Sequence, residues 1–120
     1  MQVRPVIWVG TSKPDVKSFP AAVRKGIGYA LWFAQSGGKH PHTKPLRGFG
    51  GAGVLEIVED FASDTYRAVY TVRFAEFVYV LHCFQKKSKR GTQTPKPDVA
   101  RIRSRLRAAE ADLKARKEAD

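Results

Sequence analysis

Apolar residues change their period several times along the chain, and each change marks an element. Residues 3–9 form a β-type run in which Val6, Ile7, Trp8 and Val9 follow one another. Gly10-Thr11-Ser12 ends it, and residues 15–19 read as one helical turn. Val23, Ile27, Leu31 and Ala34 then recur every three or four residues, which is one apolar face of a helix. Pro20 is read as the first helical position of that helix, with Ser18 a nearby cap. Gly26 and Gly28 each weaken a helix interior by about 1 kcal/mol, so they are read as room for close packing against a sheet. Gly37-Gly38 closes the helix.

Residues 39–53 read as a loop rich in glycine and proline, and three strands follow. In 54–59, Val54, Glu56 and Val58 oppose Leu55, Ile57 and Glu59. In 66–74, Tyr66, Ala68, Tyr70 and Val72 share one face, and Arg67, Val69, Thr71 and Arg73 the other. Residues 77–84 are nearly all apolar, as a central strand is. The short links at 60–64 and 75–76 predict an antiparallel meander. After a polar stretch, Pro97 and Asp98 open a last helix with a stripe of Val99, Ile102, Leu106, Ala109 and Leu113. The expected fold class is α+β: a small domain with an antiparallel β-meander sheet packed by helices.

Length changes this picture little. A chain of 120 residues, 42% hydrophobic, fits a single domain over 1–120 with its core at about 4–115. Cys83 is the only cysteine, which excludes an intramolecular disulfide and suits a reducing cytoplasm. No apolar run reaches the ~18 residues of a membrane span. The first ten residues are too short an apolar stretch for a signal peptide, so a cytoplasmic protein with no membrane partner is expected. Charge changes the picture more. There are 22 Lys and Arg against 11 Asp and Glu, a net +11, which favours a polyanionic partner. The excess is concentrated in three acid-free groups. Lys39, Lys44 and Arg47 precede the meander; Lys86, Lys87, Lys89, Arg90 and Lys96 follow it; Arg101, Arg103, Arg105 and Arg107 open the last helix. The two loops leave opposite ends of a meander, so a joint basic surface requires the first loop to fold back along the sheet.

Most familiar chemistries find no support. His40 and His42 form an HxH pair, but no cysteine or carboxylate cluster completes a metal site. His82 and Cys83 are neighbours on a strand and point to opposite faces. Phe49-Gly50-Gly51 precedes a strand, so it is no dinucleotide turn, and there is no phosphate loop or Ser-His-Asp pattern. No metal and no cofactor are expected. RNA, however, can be cut by its own 2′-hydroxyl when a protein aligns the attack, handles a proton and neutralises the phosphorane. Lys44, Arg47, Lys86, Lys87 and Lys89 supply cations; Glu56, Glu59 and Tyr66 are the proton-handling candidates.

The segments KPLRGFGGAGVLEIVED, DTYRAVYTVRF and VYVLHCFQKKSKRGTQTPKPDVARIRSRL closely resemble the phage-derived HigB-like branch of the RelE/ParE toxin superfamily. The opening PVIWVGTSKPDVKSFPAAVRKGIGYAL resembles it too, so the similarity runs from about Arg4 to Ala115. Its most specific parts are the Tyr66-Arg67 pair and the F-x-K-K-S-x-(K/R) segment of residues 84–90. The resemblance implies a RelE-like, microbial-RNase-like fold and the toxin half of a type II toxin–antitoxin module. It implies a metal-independent, ribosome-dependent mRNA endonuclease that inhibits translation. Its implied partners are a cognate helix-turn-helix antitoxin, mRNA and the ribosome, with operator DNA bound only through the antitoxin complex. The positions that match the family's functional ones by location are Lys44 and Arg47, Glu56 or Glu59, and Lys86 and Lys87, and Arg67 belongs to the shared Tyr-Arg pair; the expected catalytic residues are Lys87, Lys86, Glu56 and Arg67, with RNA binding by Lys44, Arg47, Lys89, Arg90, Ser88 and Tyr66. Residues 85–96 lack the tyrosine that some RelE toxins carry there, and no histidine obviously matches the His-based sites of some HigB toxins. Arg67 also reads as a cross-sheet partner of Glu56 or Glu59, and Tyr66 as a half-buried strand residue. The alternatives are a ParE-like gyrase-poisoning toxin and a non-catalytic basic RNA- or ribosome-binding module.

Overall fold

The alternation of the three central strands becomes the two faces of one sheet. The computed structural model describes residues 3–50, 53–86 and 93–119. Among them the chain runs β1 (Val6–Trp8), α1 (Ser12–Lys17), α2 (Ala21–Gln35), β2 (Thr43–Pro45), β3 (Val54–Phe61), β4 (Asp64–Thr71), β5 (Val78–Lys86) and α3 (Lys96–Ala119). β3, β4 and β5 form the expected meander, with Glu56 opposite Val69 and Arg67 opposite Phe84. Two edge strands extend the sheet to the order β1-β5-β4-β3-β2. β1 lies parallel to β5, with Val6 beside Val78, so the sheet is mixed rather than wholly antiparallel. Short links fix only the pairing of consecutive strands, and β1 finds its partner across most of the chain. The α+β arrangement is compatible with a RelE-like fold.

β2 lies within the stretch read as loop. It is three residues long and pairs antiparallel with β3, Lys44 opposite Glu56. This strand is the fold-back that a joint basic surface requires.

α2 covers one face of the sheet, burying Val23, Ile27, Leu31 and Ala34 against Ile57 and Ala68. α3 covers the other, packing Ile102, Ala109 and Leu113 with Val69 and Leu81. Gly26 permits a close approach, since a Cβ there would lie 2.7 Å from the Glu59 carboxyl carbon; Gly28 faces open space. Pro20 has ψ 149° and is the cap of α2 rather than its first helical residue. Ser18 donates from its hydroxyl to the Asp15 carbonyl, closing α1 instead of capping α2. The extended ψ at Pro20 leaves no room for a helical residue there, and its missing N–H costs the helix nothing.

β5 contains the feature that aims the site. Its register with β4 slips between Val69 and Tyr70, so Leu81 is an extra residue without an opposite number. A bulge inverts the facing of every residue beyond it. Tyr79 and Leu81 face α3, and so does His82, which meets Asp98 of that helix. Lys86 reaches the same side and bonds Gln93 just ahead of α3.

Candidate nucleic-acid interface

A buried carboxylate organises the cations of three strands. Glu56 is 1% exposed. Arg67, a diagonal step away on β4, donates from Nη1 to its Oε1 at 3.0 Å. Lys44 Nζ lies 4.0 Å from the same oxygen, and the Thr94 hydroxyl donates to Oε2 at 3.4 Å. A carboxylate at this depth persists only with such partners. Lys86 ends β5 and donates from Nζ to the Gln93 carbonyl at 2.8 Å. Desolvation holds its ammonium pKa below the usual 10.5; the charges of Arg67 and Lys44 push the same way, and Glu56 opposes them.

Beside this cluster opens a cleft of about 400 Å³, lined by Lys44, Leu46, Arg47, Glu56, Thr94 and Val99. Lys44 and Arg47 are exposed on its rim. The loop that carries Arg47 is fixed from beneath. Leu46 and Phe49 are buried under it, and Arg103 of α3 lies 4.6 Å over the Phe49 ring while donating to the Gly48 carbonyl at 2.8 Å. Gly48 has φ +89°, a conformation that glycine adopts without strain. The result is a shaped, positively charged wall suited to phosphate groups.

The fold thus brings Lys44, Arg47, Glu56, Arg67 and Lys86 to one side of the sheet. Tyr66 is not with them: it faces the α2 side, 7% exposed, its ring 4.9 Å from Phe19. Lys87, Ser88, Lys89 and Arg90 lie outside the described residues. Thr94 and Gln93 join the site unforeseen, because only the return of the chain from β5 to α3 brings them to Glu56 and Lys86.

The basic start of α3 is partly spent on the fold. Arg105 donates to the Leu81 carbonyl at 3.0 Å, to His82 Nδ1 at 3.1 Å and to the Thr11 hydroxyl at 2.8 Å. The other His82 nitrogen, Nε2, lies 2.7 Å from Asp98 Oδ1. A neutral imidazole with its proton on Nε2 satisfies both neighbours. Burial lowers the His82 pKa first, the Asp98 contact opposes this, and Arg105 lowers it further. His42 lies 3.3 Å from Glu59, whose carboxylate packs by Gly26 of α2 on the other face of the sheet from Glu56. Among the described residues no three His, Cys, Asp or Glu side chains gather closely enough to hold a metal ion. No helix among them is long and apolar enough to cross a membrane.

The chain matches the family described as phage-derived protein Gp49-like (DUF891) over residues 14–107. It belongs to that family, a toxin-like family of toxin–antitoxin systems. No curated protein and no solved structure matches it.

Proposed function

We propose that this Gp49-like protein is the toxin of a type II toxin–antitoxin module, HigB-like within the RelE superfamily, and that it cuts mRNA on the ribosome without a metal. The observation that carries the reading is the gathering of Lys44, Arg47, Arg67 and Lys86 about one buried carboxylate beside an open cleft. In the proposed reaction the 2′-hydroxyl gives its proton to solvent water as its oxygen bonds to the adjacent phosphorus, and the bond from phosphorus to the 5′-oxygen breaks. Lys44 and Arg47 hold flanking phosphates in line. Lys86 stabilises the charge on the phosphorane and gives the leaving 5′-oxygen its proton, a task suited to an ammonium of lowered pKa. Arg67 adds fixed positive charge behind them, and Glu56 acts as a positioning residue through the groups it holds. By sequence resemblance Lys87 joins the catalytic cations, and Lys89, Arg90 and Ser88 extend the RNA path.

The partners proposed with this reading are those the family resemblance implies. A helix-turn-helix antitoxin with an acidic segment would cover the cleft, and a chain of net +11 would meet it quickly at low salt. Operator DNA would be bound through that antitoxin. The site of action is the cytoplasm, where translating ribosomes are.

Inducing the chain in cells and mapping new RNA 5′ ends tests the reading. Cuts confined to translated regions are expected. Growth arrest with intact mRNA and broken plasmid DNA would replace it with a gyrase-poisoning toxin, and arrest with neither lesion would leave a ribosome-binding module.

A further inference from the structure

Helix α2 buries one stripe of side chains and leaves two large aromatic residues outside it. Tyr29 is 57% exposed and Trp32 is 53% exposed. Their rings lie 6.5 Å apart with only 29° between the planes. They are propped from the side. Phe33 meets Tyr29 edge-on at 5.1 Å and Trp32 at 5.5 Å, and His40 meets Tyr29 at 5.7 Å. Exposed aromatic rings held flat at a protein surface form an association site far more readily than a random surface does.

Charge selects the kind of partner. α2 carries Arg24 and Lys25 and no acid along its whole length, and Lys39 follows it. A polyanion whose apolar parts are flat rings fits such a surface, and single-stranded nucleic acid is that polyanion. The patch is also joined to the cation cleft. His40 stacks edge-on with His42 at 4.9 Å, and a concavity of about 400 Å³ runs from His42 past Thr43 to Lys44. Glu59 and Asp60 line this passage, but His42 sits 3.3 Å from Glu59 and the Thr65 hydroxyl donates to Asp60 at 2.9 Å.

We infer that Tyr29 and Trp32 form a base-stacking platform for the same RNA strand whose backbone the Lys44 and Arg47 cleft holds, the strand passing around the β2 edge of the sheet. The inference rests on the RNA-cutting reading and names a second contact for its substrate. It gives the two faces of the sheet separate tasks: cations bind phosphates on the α3 side, and aromatic rings hold bases on the α2 side.

The test is binding of a single-stranded RNA bearing 2′-O-methyl groups, whose blocked nucleophile prevents cutting, at several salt concentrations. Y29A/W32A should weaken binding by about tenfold or more, because both base-stacking rings are lost. The slope of affinity against salt should stay as in the parent, since stacking releases no counterions. K44A/R47A should weaken binding and flatten that slope. Trp32→Phe should restore much of the loss, which a merely unfolded helix would not allow. Equal affinity of Y29A/W32A and the parent overturns the platform. So does a parent that binds no such RNA; mRNA cutting on ribosomes, read separately, would then still support the function. A parent that self-associates, with Trp32→Ala becoming monomeric and its RNA affinity unchanged, overturns it in favour of a contact between copies.

Discussion

Glu56 and Lys44 stand directly opposite each other, yet the fold depends on them differently. The Glu56 carboxylate is buried with Arg67, so removing either residue takes the nearest opposite charge from a group in the interior. Glu56→Ala or Arg67→Ala should each cost about 3–5 kcal/mol of stability, read as a lower urea midpoint. Lys44 has 48% of its side chain exposed, and Lys44→Ala should cost under about 1 kcal/mol while still weakening RNA binding. Equal losses from all three would contradict the arrangement. Lys86 is tested by pH. If its ammonium is the proton donor, RNA cutting should fall on an alkaline limb that begins below the ordinary lysine value of 10.5. Lys86→Arg, charged throughout, should lower the rate and lose that limb. That Arg67 pairs with a carboxylate across the sheet was legible beforehand; the choice between Glu56 and Glu59 was not, because alternation sets the faces of each strand and only the register matches them. Thr94 was not, because its contact depends on a return of the chain that leaves no local pattern.

The elements show where periodicity informs and where it fails. The helical stripes of α2 and α3 each leave one side polar, the alternation of β3 and β4 sorts their residues onto two faces, and each was legible. The bulge at Leu81 was not: β5 is apolar on both faces, so a slip of one residue changes nothing in the pattern while reversing where Lys86 points. The β3–β4 turn carries a different signature. Ala62 and Ser63 have φ of 49° and 74°, the left-handed values of a two-residue hairpin turn, without the residues that favour them. Replacing the pair with Asn-Gly should stabilise the protein by about 1 kcal/mol in urea unfolding, and no gain would argue against this turn. His82, locked between α3 and β5, gives the packing a pH signature. Its pKa in the folded state is lowered from 6.5, chiefly by burial, so the unfolded chain takes up the proton first as pH falls. This contribution is intact above about pH 6.5 and is lost progressively below it. The urea midpoint should therefore drop on acidification from pH 7.5 to 5, and less steeply in His82→Gln.

For the whole molecule, the decisive step is the return of the basic loop along the sheet as β2. Two loops that leave opposite ends of a meander need not share a surface, and the strand Thr43–Pro45 is what brings Lys44 to Glu56. The concentration of charge was legible in the sequence, whereas its convergence was not, because a polar three-residue edge strand has no hydrophobic period. Nor was all of that charge available for a ligand: Arg103 and Arg105 hold the cleft loop and the β5–α3 contact. Lys44 and Arg47 line the cleft in a pattern suited to a phosphate chain, and the claim is that this chain is translated mRNA. Primer extension on a defined mRNA, with purified protein and with or without translating ribosomes, tests that claim most directly. Cuts should appear only with ribosomes present and be lost in Lys86→Ala. Folded, growth-arresting protein that leaves the mRNA whole under both conditions would contradict it.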